Sequence, residues 1–295
     1  MNFKKLAIAT SLALAAMSAS AIPLDALIGN LNIKLVGLTT ESHRTAGSNE
    51  TTWGIGAITQ INGTGGKSWS AGLSDGTYLY YMLYGISDQN TILNPATGKY
   101  DIYNIGATGG TSDGDIHLDI YRTTTQNISI DSDFNASPDK RTGFASYTPI
   151  TSFGPAYLTT KFVKGKGTAA IGGEHSTADE TLATLVQTAN DKVLKAGIEG
   201  DGRFYADVTG GTAFTKWNTN KQDFGSDFDG SFTLKTNGAP HNSGTCTSAQ
   251  ITSNECFTGL VNDPIKANKI PEPGSLALFG LALAGLAGVS RRKSK

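Results

Sequence analysis

Residues 271–295 constrain this chain more than any other stretch: PEPGSLALFGLALAGLAGVSRRKSK. A Pro-Glu-Pro tripeptide, Pro271, Glu272 and Pro273, stands first. An apolar run follows at once, holding only Leu, Ala, Gly, Phe and Val from Leu276 to Val289, and the chain closes on Arg291, Arg292, Lys293 and Lys295. The uncharged span 275–290 would make a helix of roughly 25 Å at the usual rise per residue. That is short for a bilayer core of about 30 Å, yet enough if the flanking side chains snorkel. The basic end should stay on the cytoplasmic side. Gly280, Ala284 and Gly288 share one face at small-xxx-small spacing, which a segment of this composition also produces by itself.

The opening of the chain points the same way. Lys4 and Lys5 precede an apolar stretch from Leu6 to Met17, and Ala19-Ser20-Ala21 is a small-x-small cleavage site. This pattern is a secretory signal peptide over residues 1–21, with Ile22 as the mature start. The export and signal-peptidase machinery are therefore expected partners. Leader and tail carry six of the 24 basic residues and one of the 25 acidic ones, which leaves the middle near −6 (18 against 24). Such a body has no basic patch with which to hold nucleic acid.

The tail resembles the PEP-CTERM sorting signal of Gram-negative bacteria that make exopolysaccharide. The resemblance rests on Pro271, Glu272 and Pro273, on the apolar run, and on Arg291, Arg292 and Lys293 in that order. It implies that an exosortase, an intramembrane cysteine protease-transpeptidase, reads the segment. The paired prolines hold the backbone extended just outside the membrane, where such an enzyme can grip it. The expected division is a leader over 1–21, an exported β-rich domain over 22–263, a polar spacer over 264–270 and the sorting signal over 271–295.

Fold class follows from the body. Gly is high at 36 residues, and charged residues make up only 17%. Short runs of alternating character are broken by Gly, Asn and Asp, as in an antiparallel β-sandwich. Residues 28–38 alternate Leu31, Ile33 and Leu35 with Asn32 and Lys34. Residues 53–61 read likewise, and 77–86, with four tyrosines, are apolar on both faces, as in a central strand. Further strands are expected at 102–105, 116–121, 157–163, 214–217 and 231–235. In 116–121, His117 and Asp119 should share a wet face. Gly200-Asp201-Gly202 should turn a hairpin. Over 177–195 helix and strand signals compete, leaving room for one short helix.

Candidate sites are few. Cys246 and Cys256, with nine residues between them in an exported chain, are expected to form a disulfide. A loop of that size would contribute about 3 kcal/mol. Asp131, Asp133 and Asn135 resemble the opening of a calcium loop, but Ala136 stands where its glycine belongs. Asp227 and Asp229 form a second acidic turn. Weak Ca²⁺ binding at either turn is the alternative to a plain Asx-rich turn, and no other cofactor is implied. Gly165-Lys-Gly167 matches a dinucleotide fingerprint without the βαβ context it needs. Gly72-Leu-Ser74-Asp-Gly76 matches a nucleophile elbow but lacks the strand before it and the helix after it.

The body is also faintly similar to PEP-CTERM proteins associated with flocculation, in residues 200–211, Asn218-Thr-Asn220 and Asp227-Phe-Asp229. The resulting expectation is not an enzyme. It is a cell-surface or matrix protein with a structural or adhesive role beside extracellular polysaccharide. The alternatives are a secreted carbohydrate-active hydrolase and a Ca²⁺-dependent glycan-binding module. Replacing the carboxylate of the tripeptide tests the sorting reading: Glu272→Ala should leave full-length chain in the inner membrane, seen as an unshortened band on fractionation.

Overall fold

The computed structural model of the chain describes residues 20–41, 51–94, 99–106, 108–109, 112–126, 154–166, 182–186, 199–236, 258–261 and 264–271. They form an antiparallel β protein with almost no helix, as the composition implies. The strands are β1 (Ser20–Ala21), β2 (Gly29–Glu41), β3 (Thr51–Gly63), β4 (Lys67–Ser70), β5 (Tyr78–Asn94), β6 (Lys99–Gly106), β7 (Thr108–Gly109), β8 (Ser112–Asp113), β9 (His117–Thr123), β10 (Thr159–Phe162), β11 (Leu182–Val186), β12 (Glu199–Gly210), β13 (Phe228–Thr236), β14 (Thr258–Val261) and β15 (Pro264–Lys269). One α-helical turn, α1, spans Phe214–Trp217.

One sheet takes in all of these strands except the small β7–β8 pair. Its long strands share each edge between two shorter neighbours. The second edge of β2 carries β15 along residues 29–34 and β14 along 37–40. The second edge of β3 carries β4 at 60–62 and β5 at 51–58. Through that β3–β5 pairing the sheet closes on itself, by way of β2, β14, β13, β12, β11, β6 and β5. Closure removes most free edges, the usual hazard of a large sheet.

Alternation fills the interior. Leu31, Ile33 and Leu35 of β2 meet Ile58 and Ile61 of β3, Trp69 of β4, Phe204 and Val208 of β12, and Phe228 of β13 in one core. Phe162 stacks on Phe204 with ring centres 4.3 Å apart. The tyrosine-rich strand is central, as its sequence suggests: β5 pairs with β3, β6 and β9, and Tyr80, Tyr81, Met82 and Tyr84 are all buried.

Several local expectations give way to long-range pairing. Gly200-Asp201-Gly202 does not turn. It runs straight through β12, with Gly200 opposite Leu234 and Gly202 opposite Phe232. Residues 182–186, where helix and strand signals compete, form β11, held between β6 and β12. Residues 214–217 form the helical turn α1 instead of a strand. The stretch read as a spacer, 264–270, supplies β15, bonded to β13 on one side and β2 on the other. His117 and Asp119 are buried rather than wet, because Tyr84 of β5 stacks on His117 and bonds Asp119, while Thr160 of β10 lies along the edge and meets the His117 ring.

The β3–β5 seam depends on two glycines. Gly37 faces Gly56, which in turn faces Tyr81. A Cβ on Gly56 would meet the Tyr81 hydroxyl, the Val36 carbonyl and the Gly37 Cα at distances that atoms do not adopt. Gly56→Ala should therefore destabilise the body by about 2–3 kcal/mol. Urea unfolding followed by tryptophan fluorescence would show it as a lower midpoint at unchanged slope.

Candidate functional site

The point where the folded body gives way to the tail is the best-defined feature with functional content. β15 ends at Lys269, whose side chain turns inward and is 1% exposed. A buried ammonium needs compensation. Here Nζ donates to the Leu24 carbonyl oxygen at 2.7 Å and lies 5.8 Å from the centre of the Trp217 ring. The next amide, that of Ile270, donates to the Lys216 carbonyl oxygen at 2.9 Å. Pro271, the first residue of the tripeptide, follows directly. Sequence reading missed this anchor, since a lysine in a polar stretch gives no sign of burial.

Leu24 is held from its other side as well. Its amide donates to Asp75 at 2.9 Å, and the same carboxylate accepts from the Trp69 indole N–H at 3.0 Å and from the Thr77 amide at 3.1 Å. Burial works to raise the pKa of Asp75, but the Thr77 hydroxyl, which also donates to this carboxylate, and these N–H donors outweigh burial and hold the carboxyl below its usual range. Asp25, beside Leu24, pairs with Arg122 at 2.8 Å and with Lys216 at 3.5 Å. Its burial is likewise outweighed, by the Arg122 hydrogen bond and the cations around it, and its carboxyl is also held low. One carboxylate network thus binds the start of the body to the root of its tail. Ile22, the expected mature N-terminus, sits close by and donates its amide to the Ser68 carbonyl oxygen at 2.8 Å. Ala21 pairs with Ser68 in the parallel β1–β4 contact.

The serine of the elbow-like motif has a local task. Ser74 Oγ accepts from the Ser70 amide at 2.8 Å, which shapes the turn that presents Asp75. His117, the one described histidine, is engaged elsewhere. Its Nδ1 lies 2.9 Å from the Thr160 carbonyl oxygen and its Nε2 2.9 Å from Asp113. Asp113, Asp115 and His117 bring their ligand atoms within 4.8 Å of one another. Lys161, at 2.7 Å, and Lys164, at 3.4 Å, already hold Asp115 and place positive charge against any incoming cation. Asp119, expected beside His117 on a wet face, accepts instead from the Tyr84 hydroxyl at 3.0 Å inside the protein.

The acidic turn is also built into the fold. Asp227 accepts from the Val208 amide at 2.8 Å and from the amides of Thr219 and Asn220. Asp229 receives both Arg203, at 3.0 Å, and Lys266, at 3.1 Å. A cation at this turn would have to displace protein donors. Gly165 lies in a tight turn after β10, and the residues from Gly167 onward lie outside the described residues up to 182. Glu272 and Pro273, the basic residues Arg291, Arg292 and Lys293, Ala19, both cysteines, and Asp131, Asp133 and Asn135 lie outside the described residues, as does the span 275–290. Among the described residues no helix is long and apolar enough to cross a membrane.

Residues 269–293 match the PEP-CTERM protein-sorting motif. The PEP-CTERM match begins at Lys269, the last residue of β15, so sorting signal and sheet share a residue. The motif implies an exported chain, anchored by its C-terminal end while an exosortase processes it. Neither a curated protein nor a solved structure matches the chain.

The lowered carboxyls at this junction set a pH dependence. A carboxyl depressed in the folded state contributes stability above its unfolded value, about pH 4, and loses it as pH falls through the lower folded value. The melting temperature should therefore fall on acidification below about pH 4. Asp75→Asn should lower it at neutral pH and flatten that acid slope, a pairing that thermal scans at several pH values would detect.

Proposed function

We propose that this protein is a non-enzymatic component of the cell surface or extracellular matrix, with a structural or adhesive role in exopolysaccharide. The observation that carries the reading is the PEP-CTERM match over residues 269–293, rooted directly in the last strand of an exported β body. Such a tail anchors an exported domain by its C-terminal end and then gives it up to a processing enzyme.

The body supports a passive role. Its carboxylates at the described acidic turn and at the junction are committed to backbone amides, indole and guanidinium groups. These partners hold strands together and leave little scope for proton transfer. Ser74 and His117 serve separate local contacts rather than one relay. A mild negative charge over the exported region suits a soluble surface protein.

The test is fractionation of the host with and without its exosortase, followed by binding of the released protein to the host's own exopolysaccharide. The protein should reach the matrix fraction only when the enzyme is present, and should then sediment with the polysaccharide. Equal distribution in the two strains, with no sedimentation, would contradict the reading.

A further inference from the structure

We infer that the outer face of the sheet between β3 and the 221–226 turn is a binding groove for an acidic polysaccharide chain. This rests on the matrix reading above and names the site and the charge class of the ligand.

Cross-strand partners put their side chains on the same face. One continuous row of partners runs across five strands: Tyr205 opposite Asp229, Asp229 opposite Lys266, Lys266 opposite Asn32, and Asn32 opposite Asn62. The inward neighbours of these residues, such as Phe204, Phe228, Ile265, Ile33 and Ile61, fill the core. The row therefore faces out, and its last three members are exposed. Asn30 and Asn268 extend it by one step along the strands and join each other at 2.9 Å. The result is a ladder of carboxamides at the strand spacing of about 4.8 Å.

A wall turns the ladder into a groove. After α1 the chain doubles back through residues 218–227, pinned where Asp227 accepts the amides of Thr219 and Asn220 and where the Gln222 amide donates to the Ser226 carbonyl oxygen at 2.8 Å. This brings Lys221 and Gln222 beside Asn30, Asn32, Asn62 and Lys266 around a space of about 530 Å³. The same turn carries Phe224 in the left-handed region at φ 60°, which a bulky side chain rarely adopts. Its ring is 54% exposed and rests edge-on against Tyr205, 4.9 Å between centres, so it extends the same face.

The chemistry of the lining selects the ligand. Each carboxamide offers donors and an acceptor in one plane, which suits pairs of neighbouring sugar hydroxyls. Lys221 and Lys266 line the space; Lys266 shares Asp229 with Arg203, so that cluster keeps one net positive charge beside Lys221, on a body whose exported region is net acidic. Such a local excess of positive charge favours a chain bearing carboxylates. The open form suits the side of a polymer better than a small molecule.

The test uses the processed protein isolated from its host, with a polyuronate oligomer and a neutral oligoglucose of equal length as probes in titration calorimetry. The polyuronate should bind more tightly, with affinity falling as salt rises. Asn32→Ala together with Asn62→Ala, both at exposed positions, should weaken binding about tenfold without lowering the melting temperature. Lys221→Gln should erase the preference for the acidic oligomer. Wild-type affinity in the double variant, or equal binding of both probes, would overturn the groove or its charge class, even if the protein still sediments with host polysaccharide. Failure to sediment at all would instead overturn the matrix reading.

Discussion

The body depends on one close approach, that of Gly37 and Gly56 beneath the side chain of Tyr81. Two facing glycines leave space that no other residue pair would leave, and the phenol covers it. Burial pushes the Tyr81 phenol well above its usual pKa range, as expected of a ring wholly removed from water. This contact is the seam at which β5 returns to β3. Without it the sheet would end in two long edges, and Leu79 and Tyr81 would lose the opposite wall that completes the core. Closure also explains the relay of short strands. A long strand that curls around a small core leaves one partner and takes up another, as β2 does between β15 and β14.

Closure in turn fixes the tail. The last strand is a sheet member bonded on both sides, and its final residue is a buried lysine held by Leu24 and Trp217. The sorting motif therefore starts where the folded body stops, with residues 271–275 between Ile270 and the apolar run. With the apolar run in the membrane, an interval of that length, at about 3.3–3.6 Å per extended residue, would hold the body close to it. The Asp75–Leu24–Lys269 series ties this root to the N-terminal turn, so the beginning of the mature body and the origin of its tail share one end of the fold.

The alternation of Leu31, Ile33 and Leu35 with Asn32 and Lys34 was legible because one face is core and the other water. The aromatic run 78–84 was legible as a central strand for the opposite reason, being buried on both faces. The tail was legible because its three parts are chemically distinct and ordered. Other features depend on partners distant in sequence. Gly200-Asp201-Gly202 carries strong local turn chemistry, yet Leu234, Thr233 and Phe232 across the ladder hold it extended. Residues 264–269 alternate as well, but their inward set ends in a lysine, which reads as polar until Leu24 and Trp217 come into view. His117 and Asp119 look wet because nothing in β9 reveals that Tyr84 lies across them. Asp227 suggests a metal turn by type, whereas the amides it accepts from come from two other segments.

The measurement that bears most directly on this account is the intact mass of the processed protein, which locates its new C-terminus. A body that holds β15 within its sheet predicts a last residue between Ile270 and Ser275, with Lys269 retained. A terminus before Lys269 would mean that the enzyme cuts through a strand of the closed sheet, and would contradict a folded body that runs directly into its sorting signal.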